Sequence, residues 1–293
     1  MRWLVVLDPI DGLLPATDTS LAVIEAARKS GMEVETASID RLFYDGGASV
    51  LASKSTGTEV QRLLRDYTLI FMRKEPPYDL AFHYATQLLS LGETLVVNSP
   101  SSLRNFNEKL IAFNFSHWMP RTLVSSNITL IMTFLAEHNG GVIKSLDSFQ
   151  GRSVQKLAPG DRHVVVELTA DGCQPVMVQQ FLDRVYEGDK RVILLGDKLL
   201  GAILRRPKQG FHANFANSEA LATRLTEREE KIVEEVGPWL VRQGIHFAGL
   251  DFIGEHLTEI NITCPTGIVQ ISTLENRSLA HEIVGYFRKL TRR

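Results

Sequence analysis

Four side chains able to bind metals or attack carbonyl groups stand close together near the C-terminal end of the sequence. The stretch GLDFIGEHLTEINITCPTG, residues 249–267, is rich in branched apolar residues but carries Asp251, Glu259, Asn261 and Cys264. Its apolar runs on either side of a glycine predict a buried hairpin. Buried charged and amide groups are costly unless they are paired, so this hairpin is the first candidate for a functional site.

The length of the hairpin loop decides which side chains meet, because side chains alternate between the two faces of a strand. A two-residue turn pairs Asp251 with Thr258. A three-residue loop instead pairs Asp251 with Glu259 and places Asn261 beside them. This second register collects apolar side chains on the other face, namely Leu250, Phe252, Ile260 and Ile262. We therefore expect the three-residue loop, which is a common hairpin form.

Two carboxylates that face each other across strands repel unless a positive charge lies between them or one is protonated. The oxygens of Asp251, Glu259 and Asn261 are the hard ligands of Mg²⁺, which completes its shell with water and substrate phosphates. The alternative is that basic side chains from elsewhere pair with both carboxylates. The hairpin alone leaves this choice open.

Strand and helix patterns alternate in the first third of the chain. The strand patterns are RWLVVLD, EVETAS, YTLIFMR and TLVVN, and the helix patterns are SLAVIEAARKS and YDLAFHYATQLLSLG. Such alternation predicts a parallel sheet with helical crossovers. Ligands bind beyond the carboxyl ends of such strands, so the loop MRKEPPYD after YTLIFMR is a candidate site loop.

From about residue 120 strand patterns follow one another closely and predict an antiparallel α+β region. The strand patterns are TLVSS, GVIKSL, SVQKL, HVVVEL, PVMVQQFL, KRVILLG and LLGAILRR. The predicted helices are ITLIMTFLAEHNGG, SEALATRLTEREEKIVEEVGPWLVRQG and the C-terminal STLENRSLAHEIVGYFRKLTRR.

Composition excludes several classes of protein. The 293 residues include 32 Lys plus Arg and 34 Asp plus Glu, a balance that predicts neither nucleic acid nor a membrane surface as partner. Every apolar run is far shorter than the roughly 20 residues of a membrane span. Cys173 and Cys264 allow one disulfide at most, and the N-terminus lacks a signal-peptide pattern. We therefore expect a cytoplasmic protein.

Six stretches along the chain resemble bacterial glutathione synthetase, a member of the ATP-grasp superfamily. They are VVLDPI, FMRKEPPYD, VVNSPSSLRNFNEKL, VIKSLD, EGDKRVILL and FAGLDFIGEHLTEINITCPTG, in the same order over residues 4–267. The resemblance implies an α/β and α+β fold with three subdomains: a Rossmann-like one over 1–119, a central ATP-grasp one over 120–183, and a C-terminal one over 184–293 that carries the metal and substrate site. It also suggests a homo-oligomer.

The resemblance implies an ATP-dependent carboxylate–amine ligase that forms an amide through an acyl phosphate. The implied substrates are γ-glutamylcysteine and glycine or a similar small amine, and the implied cofactors are ATP and one or two Mg²⁺ ions at Asp251, Glu259 and Asn261. Implied ATP contacts are Lys109, Lys144, Gly151, Gln180, Phe181, Leu182 and Asp189. Arg191 and Arg205 would neutralise the transferring phosphoryl group, and implied substrate contacts are Arg73, Asn261 and Cys264. The alternative for each lysine is a solvated surface charge.

Three departures from the family pattern keep other functions open. The phosphate-covering loop KSLDSFQGRSV retains only Gly151 among its glycines, and the lid LRRPKQGFHANFANSEA has few glycines and two phenylalanines. Cys264 replaces a usual serine, and we expect it before a helix start, where thiol pKa values fall; the alternative is an inert buried cysteine. A second hypothesis is therefore an ATP-independent hydrolase of glutathione with Cys264 as nucleophile, and a third is a silent binder of glutathione or nucleotide.

Overall fold

Three β-sheets follow one another along the chain. The structure is a computed structural model that describes residues 1–147, 154–211 and 217–292. The strands of each sheet fall within one of the three predicted segments, whose boundaries remain a prediction. Of the helices in the described ranges, none is both long and apolar enough to cross a bilayer.

The first sheet confirms the predicted parallel order and adds an antiparallel edge. Its strands are β1 (Arg2–Leu7), β2 (Glu33–Ala37), β3 (Leu42–Tyr44), β4 (Ala48–Ser53), β5 (Glu59–Leu63), β6 (Leu69–Arg73) and β7 (Val96–Val97), and its helices are α1 (Thr19–Lys29), α2 (Leu80–Ser90) and α3 (Pro100–Asn105). β1 lies between β2 and β6 with parallel pairing to both, and β7 extends the sheet beyond β6. Buried on both faces, β1 needs its unbroken apolar run.

The second sheet is antiparallel. It contains β8 (Thr122–Ser125), β9 (Gly141–Ser145), β10 (Gln155–Leu157) and β11 (Val176–Gln179), with helices α4 (Ile128–Glu137) and α5 (Arg162–Leu168). The strand predicted for HVVVEL is wrong, because this segment forms α5. Val165 of α5 is fully buried in the cluster that also holds Ile131 and Leu135 of α4, so tertiary packing outweighs the strand preference of three consecutive valines.

The third sheet is also antiparallel and corrects two predicted helices. Its strands are β12 (Asp189–Leu195), β13 (Lys198–Pro207), β14 (Ser218–Ala222), β15 (Phe247–Ile253) and β16 (His256–Asn261), and its helices are α6 (Glu227–Arg242), α7 (Ile268–Glu275) and α8 (Leu279–Leu290). α6 begins only after Thr226, which forms a capping box with Glu229, so the residues of β14 are not helical. The single C-terminal helix is in fact two, since Asn276 ends α7 in a left-handed conformation.

A buried side chain ties the first sheet to the third. Asn98, which follows β7, donates to the carbonyls of Phe247 and Ile262 at 2.7 Å each. Its Oδ1 accepts from the amides of His246 and Phe247 at 2.8 and 2.9 Å. Because Asn98 is 3% exposed, these bonds hold the carboxyl edge of the parallel sheet against the β15–β16 hairpin without competition from water.

Candidate active site

A cavity of about 540 Å³ is lined by residues of the two antiparallel sheets and by loops of the first α/β unit. The second sheet contributes Lys144 and Gln179, the third contributes five charged side chains, and the loop after β6 contributes Glu75. The cavity therefore lies where the predicted site loop, the hairpin and the two antiparallel sheets converge, and its size is that of a small-molecule site.

The hairpin confirms the predicted pairing and corrects the predicted loop. Asp251 lies opposite Glu259, although the turn has only two residues, with Ile253 paired to His256. A β-bulge makes this pairing compatible with the short turn. Thr258 is an extra residue in β16, between Leu257, which pairs with Phe252, and Glu259, which pairs with Asp251. The opposite face holds Leu250, Phe252, Ile260 and Ile262, all fully buried.

The carboxylate of Asp251 is held by two arginines. Arg191 Nε and Nη2 donate to its two oxygens at 2.5 and 2.8 Å, and Arg205 Nη2 lies 3.1 Å from Oδ1. Burial alone would raise the pKa of Asp251, but the charges of Arg191 and Arg205 hold it below its usual range. The alternative in which basic side chains pair with both carboxylates therefore describes the structure, since Lys109 Nζ likewise lies 3.5 Å from Glu259 Oε1.

Asp189 shares one of these arginines. Its carboxylate lies 2.8 Å from Arg205 Nη2. Burial raises the pKa of Asp189, and the nearby charge of Asp251 adds to this against the opposing charge of Arg205. Two arginines and two carboxylates thus form a buried cluster on one side of the third sheet, where each arginine has a donor fork suited to phosphate as well as to carboxylate.

The three predicted metal ligands lie on one face as expected. Asn261 Nδ2 donates to Asp251 Oδ2 at 3.2 Å, and Glu259 Oε1 lies 3.5 Å from Lys109 Nζ. Over residues 1–147, 154–211 and 217–292, no group of three His, Cys, Asp or Glu side chains is placed to hold a metal. Two carboxylates and one amide oxygen facing a cavity nevertheless fit Mg²⁺, which takes few protein ligands and keeps several waters.

The two predicted phosphate-binding lysines also line the cavity. Lys109 is 5% exposed and lies near Glu259. Lys144 Nζ donates to Gln179 Oε1 at 3.0 Å, and Gln179 Nε2 in turn donates to Thr122 at 3.0 Å. Burial lowers the pKa of Lys144, and the charge of Glu259 opposes this. Neither lysine is the solvated surface charge of the alternative interpretation.

An aromatic pair forms another wall of the cavity. Phe181 makes an edge-on contact with Phe211, with ring centroids 5.7 Å apart, and Lys156 Nζ lies 3.6 Å from the centroid of Phe181. Gln180 and Leu182 also line the cavity, although the amide of Gln180 already donates to Arg121 at 2.9 Å. Gly151 lies outside the described residues.

Arg73 does not line the cavity, although the resemblance implies a substrate contact. Its guanidinium donates to Ser20 Oγ at 2.9 Å and to the carbonyl of Pro265 at 3.0 Å, and it stacks over Phe71 and Phe247. At 1% exposure it lies behind the cavity wall and supports the turn that contains Pro265.

Cys264 lines the cavity, but the expected fall in its pKa is wrong. Helix α7 begins only at Ile268, so the thiol is not at the helix start. Burial raises the pKa of the Cys264 thiol to about 12, and Sγ donates to the carbonyl of Arg73 at 3.3 Å. The group is therefore a protonated thiol at neutral pH, which removes the basis for proposing it as a nucleophile.

Glu75 and Glu108 are cavity carboxylates that were missing from the sequence-based candidates, as was Asp18, whose side chain caps α1. Glu108 precedes Lys109 in the quoted NEKL, and Glu75 lies in the predicted site loop, so position next to a candidate was the available signal. Burial raises the pKa of both glutamates; Glu259 adds to the effect at Glu108, and Asp8 at Glu75.

Solved ATP-grasp enzymes share this fold. An ATP-grasp ligase from Chryseobacterium gregarium, RiPP-associated and solved with ADP and a leader and core peptide, aligns with a TM-score of 0.71 at 14% identity over 99% of this chain and 97% of that one. A D-cycloserine synthetase aligns with a TM-score of 0.70 at 16% identity over 98% and 99% of the two chains. A cavity lined by two antiparallel sheets beside a parallel α/β unit thus defines the ATP-grasp class.

Sequence comparison defines the family. Residues 1–104 match the N-terminal domain of prokaryotic glutathione synthetase, and residues 108–276 match its ATP-grasp domain. The chain is 37% identical over 306 residues to the glutathione synthetase of Parasynechococcus marenigrum, covering 99% of this chain and 100% of that one. It is 40% identical over 301 residues to that of Prochlorococcus marinus, covering 97% of each. The chain belongs to the prokaryotic glutathione synthetase family and is an ATP-grasp carboxylate–amine ligase.

Proposed function

We propose that the protein joins the cysteinyl carboxylate of γ-glutamylcysteine to the amino group of glycine, with ATP converted to ADP and phosphate. The observation that carries this proposal is the cluster of Arg191, Arg205 and Asp251 on the same cavity as Lys109 and Lys144. Four cations line one cavity, and their ammonium and guanidinium donors suit the phosphates of a nucleotide triphosphate and a peptide carboxylate.

The division of roles follows position. Lys109 and Lys144 hold the ATP phosphates, and Arg191 and Arg205 neutralise the phosphoryl group as it passes to the substrate carboxylate. Asp251, Glu259 and Asn261 hold Mg²⁺, which when bound screens the phosphate charge. The nucleotide base contacts the segment that contains Gln180, Phe181 and Leu182, with Asp189 near the ribose and Gly151 in the phosphate-covering loop.

The remaining parts of the cavity bind the peptide. Asn261 and Cys264, which line the cavity together with Glu75 and Thr266, contact the peptide. Arg73 acts on the substrate indirectly, by holding the carbonyl of Pro265 in place. Support for a small peptide comes from the cavity volume of about 540 Å³ and from the named activity of the relatives.

A direct assay tests the proposal. The protein is incubated with ATP, Mg²⁺, γ-glutamylcysteine and glycine, and ADP and glutathione are measured together. We expect ADP and glutathione in equal amounts, with both absent when either the dipeptide or glycine is omitted. Failure to form glutathione with the complete mixture would overturn the proposal, and release of glycine from glutathione without ATP would favour the hydrolase.

Three expectations accompany the proposed function. The division at residues 119 and 183 separates an α/β unit from the two units that enclose ATP. The protein acts in the cytoplasm, and it assembles as a homo-oligomer. Each is supported by the resemblance to the family, and size-exclusion chromatography with light scattering tests the last.

A further inference from the structure

We propose that Glu108 removes the proton from the attacking amine in the second half of the ligase reaction. This inference rests on the proposed function. Glycine carries a proton on its amino group at neutral pH, and an ammonium group has no electron pair with which to attack an acyl phosphate. A general base within the cavity is therefore required at that step.

The carboxylate of Glu108 is held rigidly through one of its oxygens. Oε1 accepts from the amides of Ile262 and Thr263 at 2.7 and 2.8 Å and from the Thr263 hydroxyl at 2.8 Å. The carbonyl of Glu108 accepts from the amide of Ile260 at 3.1 Å. Three bonds thus fix the side chain and a fourth fixes the backbone at the end of β16, as a group that must be preorganised for catalysis should be fixed.

The second oxygen of Glu108 is open to the cavity. Within the residues that the structure describes, Oε2 forms no hydrogen bond and is not among the buried unpaired atoms, while the side chain lines the cavity. One oxygen therefore fixes the carboxylate, and the other remains available to accept a proton from a bound molecule.

Glu108 lies between the two ends of the cavity. Lys109 follows it in the chain and reaches Glu259 on the phosphate side, whereas Thr263, to which it is bonded, precedes Cys264 on the substrate side. Burial and the charge of Glu259 raise the pKa of Glu108, and the charge of Glu108 adds to the effect of burial in raising the pKa of Cys264. The acyl phosphate must form between these two ends, which places the attacking amine within reach of this carboxylate.

The other cavity groups are less suitable as bases. Asp251 has both oxygens bound by arginine, and Cys264 is a protonated thiol. Glu259 faces Lys109 and is a proposed metal ligand. Glu75 lies in the loop after β6, where the charges that act on it are those of Asp8, Arg73, Asp18 and Lys74 rather than those of the Asp251 cluster.

The step balances without a further reactant. Glu108 takes one proton from the ammonium group, and the freed electron pair on nitrogen forms the bond to the acyl carbon. The bond between that carbon and the phosphate oxygen breaks, so inorganic phosphate leaves with the bonding electrons. The nitrogen then loses its second proton to phosphate or water, and Glu108 releases its proton to solvent.

Two amine acceptors that differ in their protonation at neutral pH, glycine and hydroxylamine, test the role of Glu108 as a base. Hydroxylamine is largely unprotonated at neutral pH and attacks an acyl phosphate to give a hydroxamate without needing a base, whereas glycine needs one. In Glu108→Gln, which keeps the Oε1 acceptor, we expect the glycine-dependent rate to fall about 10²- to 10⁴-fold. The hydroxamate rate should stay within the same order of magnitude as in the wild type.

Two control variants separate this role from positioning. Thr263→Val removes one bond to Oε1 but leaves the carboxylate, and it should lower both rates by the same factor. Glu75→Gln makes the same substitution at another carboxylate of the cavity, and it should show no preference between the two acceptors.

The outcomes distinguish the two proposals. Equal loss of both rates in Glu108→Gln would overturn the role as a base, because a residue that only positions Lys109 affects both acceptors alike. An acceptor-selective loss in Glu75→Gln instead would move the assignment to Glu75. If the wild-type protein forms neither glutathione nor hydroxamate, the proposed function itself fails and this inference fails with it.

Discussion

Arg191 and Asp251 lie directly opposite each other on neighbouring strands and form a two-point ion pair. Arg205 approaches the same carboxylate, so a cation at Asp251 has to compete with two arginines for its oxygens. The phosphates of ATP offer both arginines other partners. Metal binding at this carboxylate should therefore depend on the nucleotide.

The first prediction concerns this dependence. Mg²⁺ alone should leave the melting temperature almost unchanged, whereas Mg²⁺ with a non-hydrolysable ATP analogue at 100 times its Kd should stabilise the protein by about 2.7 kcal/mol. Thermal denaturation followed by fluorescence measures both. In Asp251→Asn the contribution of Mg²⁺ to the stabilisation should disappear. A large shift with Mg²⁺ alone would show that the arginines do not compete.

The second prediction concerns Cys264. With a thiol pKa of about 12, the thiolate fraction at neutral pH is very small, and iodoacetamide reacts with thiolates. Mass spectrometry after mild alkylation should show modification at the exposed Cys173 and little at Cys264. Cys264→Ala should retain ligase activity. Rapid alkylation of Cys264, together with ATP-independent release of glycine from glutathione that the alkylation abolishes, would revive the hydrolase hypothesis.

The hairpin shows how far a pattern of side chains predicts a site. The alternation of polar and apolar residues predicted that Asp251 faces Glu259, because burial of one face determines the register. It did not predict the bulge at Thr258, which lets a two-residue turn carry the register of a three-residue loop. The sequence therefore predicted which face of the hairpin carries the polar side chains, but it did not predict the conformation of the backbone near the turn.

Contacts between distant parts of the chain explain what the pattern missed. Glu108 gains its position from the amides of Ile262 and Thr263, which are 154 and 155 residues away. HVVVEL became a helix because Val165 packs beside α4. The family resemblance predicted Lys109 and Lys144 as site residues because it compares residues from the whole chain at once. Hydrophobic periodicity reports on only one helix or strand at a time.

The third prediction concerns pH and the first sheet. Glu35 is fully buried and accepts three hydrogen bonds from Arg62 and one from Tyr67 at 2.6 Å. Burial alone would raise the pKa of Glu35, but these bonds outweigh it and hold the pKa below its usual range. A carboxyl group whose pKa is lower in the folded state contributes stability above the unfolded pKa of about 4.3, and this is lost as the pH falls through the folded pKa.

Urea unfolding between pH 7 and pH 3 measures this contribution. In Glu35→Gln the free energy of unfolding should be lower at pH 7 and should fall less steeply below about pH 4.3. Tyr67→Phe removes one of the bonds that lower the pKa and should give an intermediate slope. An unchanged slope in Glu35→Gln would mean that other carboxylates account for the acid sensitivity.

The last prediction concerns the aromatic wall. Phe211 contacts Phe181 in the segment proposed to bind the nucleotide base, and an aromatic pair of this kind contributes about 0.5–1.5 kcal/mol. Phe211→Ala should therefore raise the KM for ATP about two- to tenfold with little change in kcat.

Tyr186→Ala is the matched control for this variant. The ring of Tyr186 also lies near Phe181, with ring centroids 6.0 Å apart, but Tyr186 is half exposed and does not line the cavity. Steady-state kinetics at saturating peptide and glycine separates KM from kcat. If kcat falls while the KM for ATP is unchanged, Phe211 acts on the chemical step rather than on nucleotide binding.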